Sequence, residues 1–117
     1  LRIRPVAGDL LGAVVDAVRD AAAREGSVGV VAADADVDRV RRALEAAGIP
    51  AAGADTPAAR VSVVPATLVK GLEYDHVVAV EPAAIAEAEE RGLHRLYVVL
   101  TRAVSRLEVL HGRPLPF

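Results

Sequence analysis

Two short segments hold the residues whose types and spacing could do chemistry. The first is Thr67-Leu-Val-Lys-Gly-Leu-Glu73. Lys70 is the single lysine in a chain that otherwise uses thirteen arginines. An ammonium and the Glu73 carboxylate three residues apart would share one side of a helical turn, where they could grip a phosphate or a ribose. Gly71 between them permits a tight backbone bend. The same residues also read as a plain connecting turn with a surface ion pair worth ~0.5 kcal/mol. The second segment is His94-Arg-Leu-Tyr-Val-Val-Leu-Thr-Arg-Ala103. Leu93, Leu96, Val99 and Leu100 would form an apolar helical stripe, with Arg102 near its C-terminal end. An arginine there can reach a transferring phosphoryl group. It can equally serve the helix dipole, for ~0.3–1 kcal/mol.

The elements that must position these residues follow from periodicity. Leu1–Val6 reads as an extended lead-in. Asp9–Arg24 places Leu10, Val14, Ala17, Val18 and Ala21 on one helical face, and Gly26 ends it. Val28–Ala32 is a continuous apolar run, the pattern of a strand covered on both faces. Asp34 or Asp36 can cap the next helix, which turns Val37, Val40, Leu44 and Ala47 inward and stops at Gly48. Ala51–Ala59 reads as a loop. Val61–Val64 and Val77–Val80 read as strands, with Glu81 a strand-end or helix-start residue and Pro82 in a first helical turn. Ala83–Glu90 and Leu93–Ala103 read as helices broken at Gly92, and Leu107–Leu110 as a last strand. Short apolar strands alternating with amphipathic helices predict an α/β three-layer domain: a mainly parallel sheet with helices on both faces, and one domain over residues 1–117. In such folds ligands sit at the carboxyl ends of the strands, and the loop after Val64 is expected there.

Composition narrows the function classes. The net charge is −2, from 14 basic and 16 acidic residues, without a basic block. That disfavours non-specific nucleic-acid binding by the whole chain. Asn and Gln are absent, which removes two side chains that commonly read adenine. With no cysteine there is no disulfide or thiolate metal site, and His76, His94 and His111 are too widely spaced for a helical metal pair. No metal site is expected. No apolar run reaches the ~20 residues of a membrane span, and no signal peptide is visible, so a cytoplasmic protein without a membrane partner is expected. A start at Leu1 rather than Met suggests a piece of something longer.

Read together, Val69-Lys-Gly-Leu-Glu-Tyr-Asp-His-Val-Val-Ala-Val-Glu-Pro82 and Leu96-Tyr-Val-Val-Leu-Thr-Arg-Ala-Val-Ser-Arg-Leu-Glu-Val-Leu-His111 resemble two signature motifs of superfamily 1 helicases of the UvrD/Rep type. The first, within 61–82, is similar to motif V with its KGLE core. The second, within 93–106, is similar to motif VI with its YVxLTRA wording. The resemblance covers the last 57 residues; the first 60 share only the rhythm of elements. It implies the C-terminal, second RecA-like domain of such a motor, which clamps ATP against a first domain of the same parent chain. Arg102 then corresponds to the motif VI arginine at the γ-phosphate, and Glu73 to the motif V glutamate at the ribose. Gly71 and Lys70 would shape the loop, Thr67 and Lys70 would lie near nucleic acid, and Tyr97 would pack motif VI. Asp75 and Thr101 would orient these loops.

Departures from the family matter as much. No G-x-x-x-x-G-K-[ST] phosphate loop occurs in the sequence, so the resemblance implies about half an ATP site. The Mg²⁺ ligands would lie outside this chain, and the chain alone should hydrolyse no ATP. The motif IV arginine has no match. Thr67 stands where the family usually carries a histidine. The Pro65-Ala-Thr-Leu-Val-Lys-Gly-Leu-Glu73 wording is similar to HelD-type ATPases, which release stalled RNA polymerase. Two further readings stand beside the motor acting on DNA or RNA polymerase. One is a catalytically inert helicase-like module that docks on RNA polymerase or another protein. The other is a self-contained receiver-type or nucleotide-binding domain, which lacks a glycine-rich phosphate cradle here.

Overall fold

The computed structural model describes residues 1–53 and 60–117. Five strands form one all-parallel sheet: β1 (Arg2–Pro5), β2 (Val28–Ala32), β3 (Val61–Pro65), β4 (Tyr74–Val80) and β5 (Ala103–His111). Their spatial order is β1-β5-β4-β2-β3. The helices are α1 (Leu10–Ala22), α2 (Val37–Ala46), α3 (Pro82–Glu87) and α4 (Gly92–Leu100). Short 3₁₀ turns at Asp34–Asp36 and Ala66–Leu68 follow β2 and β3.

Alternation along the central strands explains the three layers. Val28, Val30 and Ala32 of β2 face α1 and α2, where Val14, Val18, Val40 and Leu44 complete one fully buried cluster. Val31 faces the other way, onto a second cluster with Val77, Ala79, Ile85, Leu96 and Val99 beneath α3 and α4. A parallel strand buried on both sides needs apolar residues at every position; all five residues of β2 are buried. The α/β architecture with helices on both faces agrees with the sequence reading. The lead-in is not loose: β1 pairs with β5 from Arg2 opposite Glu108 to Pro5 opposite His111.

Several boundaries differ, each for a physical reason. The last helix ends at Leu100 rather than Ala103. Residues from Ala103 instead join the ladder with β4, which recovers backbone hydrogen bonds for both strands. Both strands are therefore longer than their apolar runs. β4 starts at Tyr74, before the buried stretch, and its aromatic ring occupies the space above Gly29 of β2 that any β-carbon would fill. Neither Asp34 nor Asp36 caps α2 through its side chain. Asp36 pairs with Arg39 at 2.7 Å, and Asp34 turns to Thr67 instead. Gly92 begins α4 and is buried, rather than merely breaking a helix. Part of the expected 51–59 loop lies outside the described residues. No described helix is long and apolar enough to cross a membrane.

Candidate functional site

The two segments meet at the amino ends of β4 and β5. Glu73 directly precedes β4 and Arg102 directly precedes β5. Tyr74 and Ala103 are register partners, and the Tyr74 N–H donates to the Arg102 carbonyl at 3.1 Å. Glu73 and Arg102 therefore stand side by side on one rim of the sheet. It is the amino rim, not the carboxyl rim expected for a ligand. The reason is topological. The β3–β4 connection has only residues 66–73 to return across the sheet, so the end of the KGLE segment arrives at the opposite edge from its beginning.

The register slips beside this rim. Between Tyr74 and His76 one residue of β4 intervenes, while two of β5 lie between their partners Ala103 and Arg106. The extra β5 residue is a bulge, a device that re-aims neighbouring side chains. Ser27 and Asp75 brace the same edge. The Ser27 N–H donates to Asp75 Oδ2 at 2.8 Å, and the Asp75 N–H donates to Ser27 Oγ at 3.1 Å. The backbone N–H of Ser27, helped by its hydroxyl and the nearby His76, lowers the Asp75 carboxyl below its ordinary value.

Lys70 and Glu73 do not share a helical turn. Leu72 N–H bonds to the Val69 carbonyl at 3.0 Å, and Gly71 has φ +85°. Residues 69–72 thus form a tight turn with glycine at its third position, where a positive φ is required. A β-carbon on Gly71 would meet nothing within 4 Å, so the backbone angle alone selects glycine. Lys70 is exposed. It lines a groove of about 440 Å³ with Glu89, Arg91, His94 and Arg95 at the start of α4.

Thr67 is separated from the Glu73–Arg102 pair. It follows β3 at the carboxyl rim, where its N–H and hydroxyl both donate to the Asp34 carboxylate. Tyr97 does not pack the helix into the core. It is 67% exposed, because α4 buries Leu96 and Val99 and the next residue turns outward. Leu93, expected in the apolar stripe, is 60% exposed, in the first turn of α4.

Arg102 lies in the two-residue link between α4 and β5. Its Nε donates to the Val98 carbonyl at 3.0 Å, and its Nη2 to Thr101 Oγ1 at 3.1 Å. The first of these bonds serves the helix end, as the dipole reading expects, yet the guanidinium remains only partly buried. Glu81, by contrast, is a residue whose backbone was not legible. It adopts a left-handed φ of +49° at the carboxyl end of β4, and it is buried. Its carboxylate accepts from Gly112 N–H at 2.7 Å and from Arg113 N–H at 3.3 Å. An acid immediately before Pro82 was the one available signal. Among the described residues no group of three or more His, Asp or Glu side chains could hold a metal ion.

No family model matches the chain. No curated protein matches it. Among solved structures it is similar to the C-terminal domain of a possible DNA helicase from Lactobacillus plantarum WCFS1, with a TM-score of 0.75 and 26% sequence identity. The similarity covers 97% of this chain and 74% of that one. The likeness to a helicase C-terminal domain thus extends over the N-terminal half too, where the sequence motifs are silent.

Proposed function

We propose that this chain is the second motor domain of an ATP-dependent superfamily 1 helicase or helicase-like translocase. It contributes half of an ATP site, which a first RecA-like domain of the same parent chain completes. The observation that carries this reading is the adjacency of Glu73 and Arg102 on the amino rim, fixed by the Tyr74–Arg102 backbone bond. Arg102 contacts the γ-phosphate, and Glu73 accepts from a ribose hydroxyl. Gly71 and Lys70 shape the turn between the two rims, and Thr67 with Lys70 lies toward the polynucleotide or protein on which the motor acts. ATP is the substrate. Mg²⁺ is held by residues of the first domain, as the helicase resemblance implies.

The chemistry asked of the rim is electrostatic. Charge that develops on the phosphoryl oxygens is met by a guanidinium that arrives only when two domains close, which couples turnover to movement. The test is ATP hydrolysis by the full-length protein carrying Arg102→Ala. A rate loss of roughly 10³–10⁵ is expected, and undiminished turnover refutes the role. The wording of residues 65–73 supports a HelD-type motor acting on RNA polymerase, whereas the solved neighbour is described as a possible DNA helicase. Comparing stimulation of the ATPase by single-stranded DNA and by RNA polymerase decides between these targets.

A further inference from the structure

The Arg102 guanidinium carries five N–H donors, and two of them are already engaged. Nε donates to the Val98 carbonyl at 3.0 Å and Nη2 to Thr101 Oγ1 at 3.1 Å. The Thr101 hydroxyl donates in turn to the same Val98 carbonyl at 2.9 Å. The three groups close a small ring at the end of α4. The Thr101 backbone N–H also reaches Val98 O, at 3.3 Å. Three donors thus share one carbonyl that offers two lone pairs. The carbonyl is a crowded anchor, and the hydroxyl is the partner that the guanidinium does not have to share with another N–H.

The ring occupies one edge of the guanidinium, the one formed by Nε and the near hydrogen of Nη2. Both hydrogens of Nη1 and the second of Nη2 are not used by these bonds. One from each nitrogen lies along the terminal edge, in the parallel arrangement that grips two oxygens of a single phosphate. We infer that Thr101 is a positioning residue: its hydroxyl docks one edge of Arg102 against the end of α4 and thereby presents the other edge to a phosphoryl group. This inference rests on the proposed phosphate contact of Arg102.

The hydroxyl is what the role requires. Serine can make both bonds, whereas valine keeps the branched shape and makes neither. In the full-length protein, Thr101→Val is expected to lower kcat for ATP hydrolysis about ten- to hundredfold, the scale of a misplaced catalytic group, with the KM for ATP nearly unchanged. Thr101→Ser is expected to restore most of the rate. On an Arg102→Ala background, Thr101→Val should cost nothing further, because both changes remove the same contact. Wild-type turnover by Thr101→Val beside a slow Arg102→Ala overturns this inference alone. So does a Thr101→Ser variant as slow as the valine, or losses that multiply in the double variant. Normal turnover by Arg102→Ala overturns the phosphate contact and this inference with it.

Discussion

The carboxyl rim and the Glu73–Arg102 stretch of the amino rim are built in opposite ways. At the carboxyl rim, polar side chains are spent on the fold. Glu81 takes the Gly112 and Arg113 N–H groups, Asp34 takes both donors of Thr67, and Arg113 pairs with Glu87 at 2.6 Å. At the amino rim, Arg102 keeps an edge of its guanidinium free of the bonds that hold it, and Glu73 stands exposed beside it. A rim sewn to itself stabilises; a rim with charged groups held at their bases but open at their tips can meet a ligand. The usual rule places ligands at the carboxyl ends of parallel strands. Here it points to the sewn edge; on the proposed reading, a domain that supplies half of a shared site presents whichever edge its partner closes upon.

Substitutions can break this contrast if it is wrong. The largest expected effect is on the amino rim, where Arg102→Ala removes on the order of 10³-fold or more of turnover, with little change in unfolding midpoint. The carboxyl-rim counterpart is Glu81→Ala. It strips acceptors from two backbone N–H groups, each costing ~1–3 kcal/mol if left unsatisfied, and it leaves a non-glycine residue in the left-handed region. A loss of ~2–4 kcal/mol in denaturant unfolding is expected, with hydrolysis per folded molecule unchanged. If Glu81→Ala slowed chemistry without loosening the fold, or Arg102→Ala did the reverse, the two rims would have been assigned the wrong way round.

How much was legible in the sequence depends on the kind of signal each element carries. The buried strands and α1 were readable because continuous apolar runs and a 3.6-residue stripe are local patterns. The three-layer architecture followed from their alternation. The junctions were not readable. Leu96-Tyr-Val-Val-Leu-Thr-Arg-Ala103 has helical composition to its end, and only pairing with Tyr74 draws Ala103 into a strand. That pairing is non-local, and it moves Arg102 off the helix. The outward turn of Tyr97 likewise depends on which α4 face meets the sheet. The residues of the candidate site were chosen by motif resemblance, and the rim expected for them was the wrong one. A general rule about strand ends could not anticipate a connection of eight residues crossing from one edge to the other.

Gly71 probes the link between the rims. With φ at +85° and open space around it, Gly71→Ala meets no clash, and it pays only for the left-handed backbone, ~1–2 kcal/mol. The expected outcome is a modest fall in unfolding free energy. Turnover should fall as well if the turn sets the approach of Glu73 to its partner. An Ala variant less stable by this amount with wild-type hydrolysis would show the turn to be a connection and nothing more.

The smallest effect concerns the brace of the amino rim. Hydrogen bonding from Ser27 lowers the folded-state value of the Asp75 carboxyl. A carboxyl depressed by folding contributes stability above its unfolded value, about 3.9, and loses that contribution as pH falls through the lower folded value. Asp75→Asn cannot gain or lose this term. Wild type should therefore exceed the variant in urea midpoint at neutral pH, and the gap should narrow as pH drops below about 4. Glu87, lowered in the same direction by Arg113 at the other rim, keeps an acid-sensitive contribution in both proteins, so the variant retains part of the acid slope. A gap independent of pH would mean that Asp75 acts through shape rather than charge. The amino rim would then be held by its ladder and bulge alone.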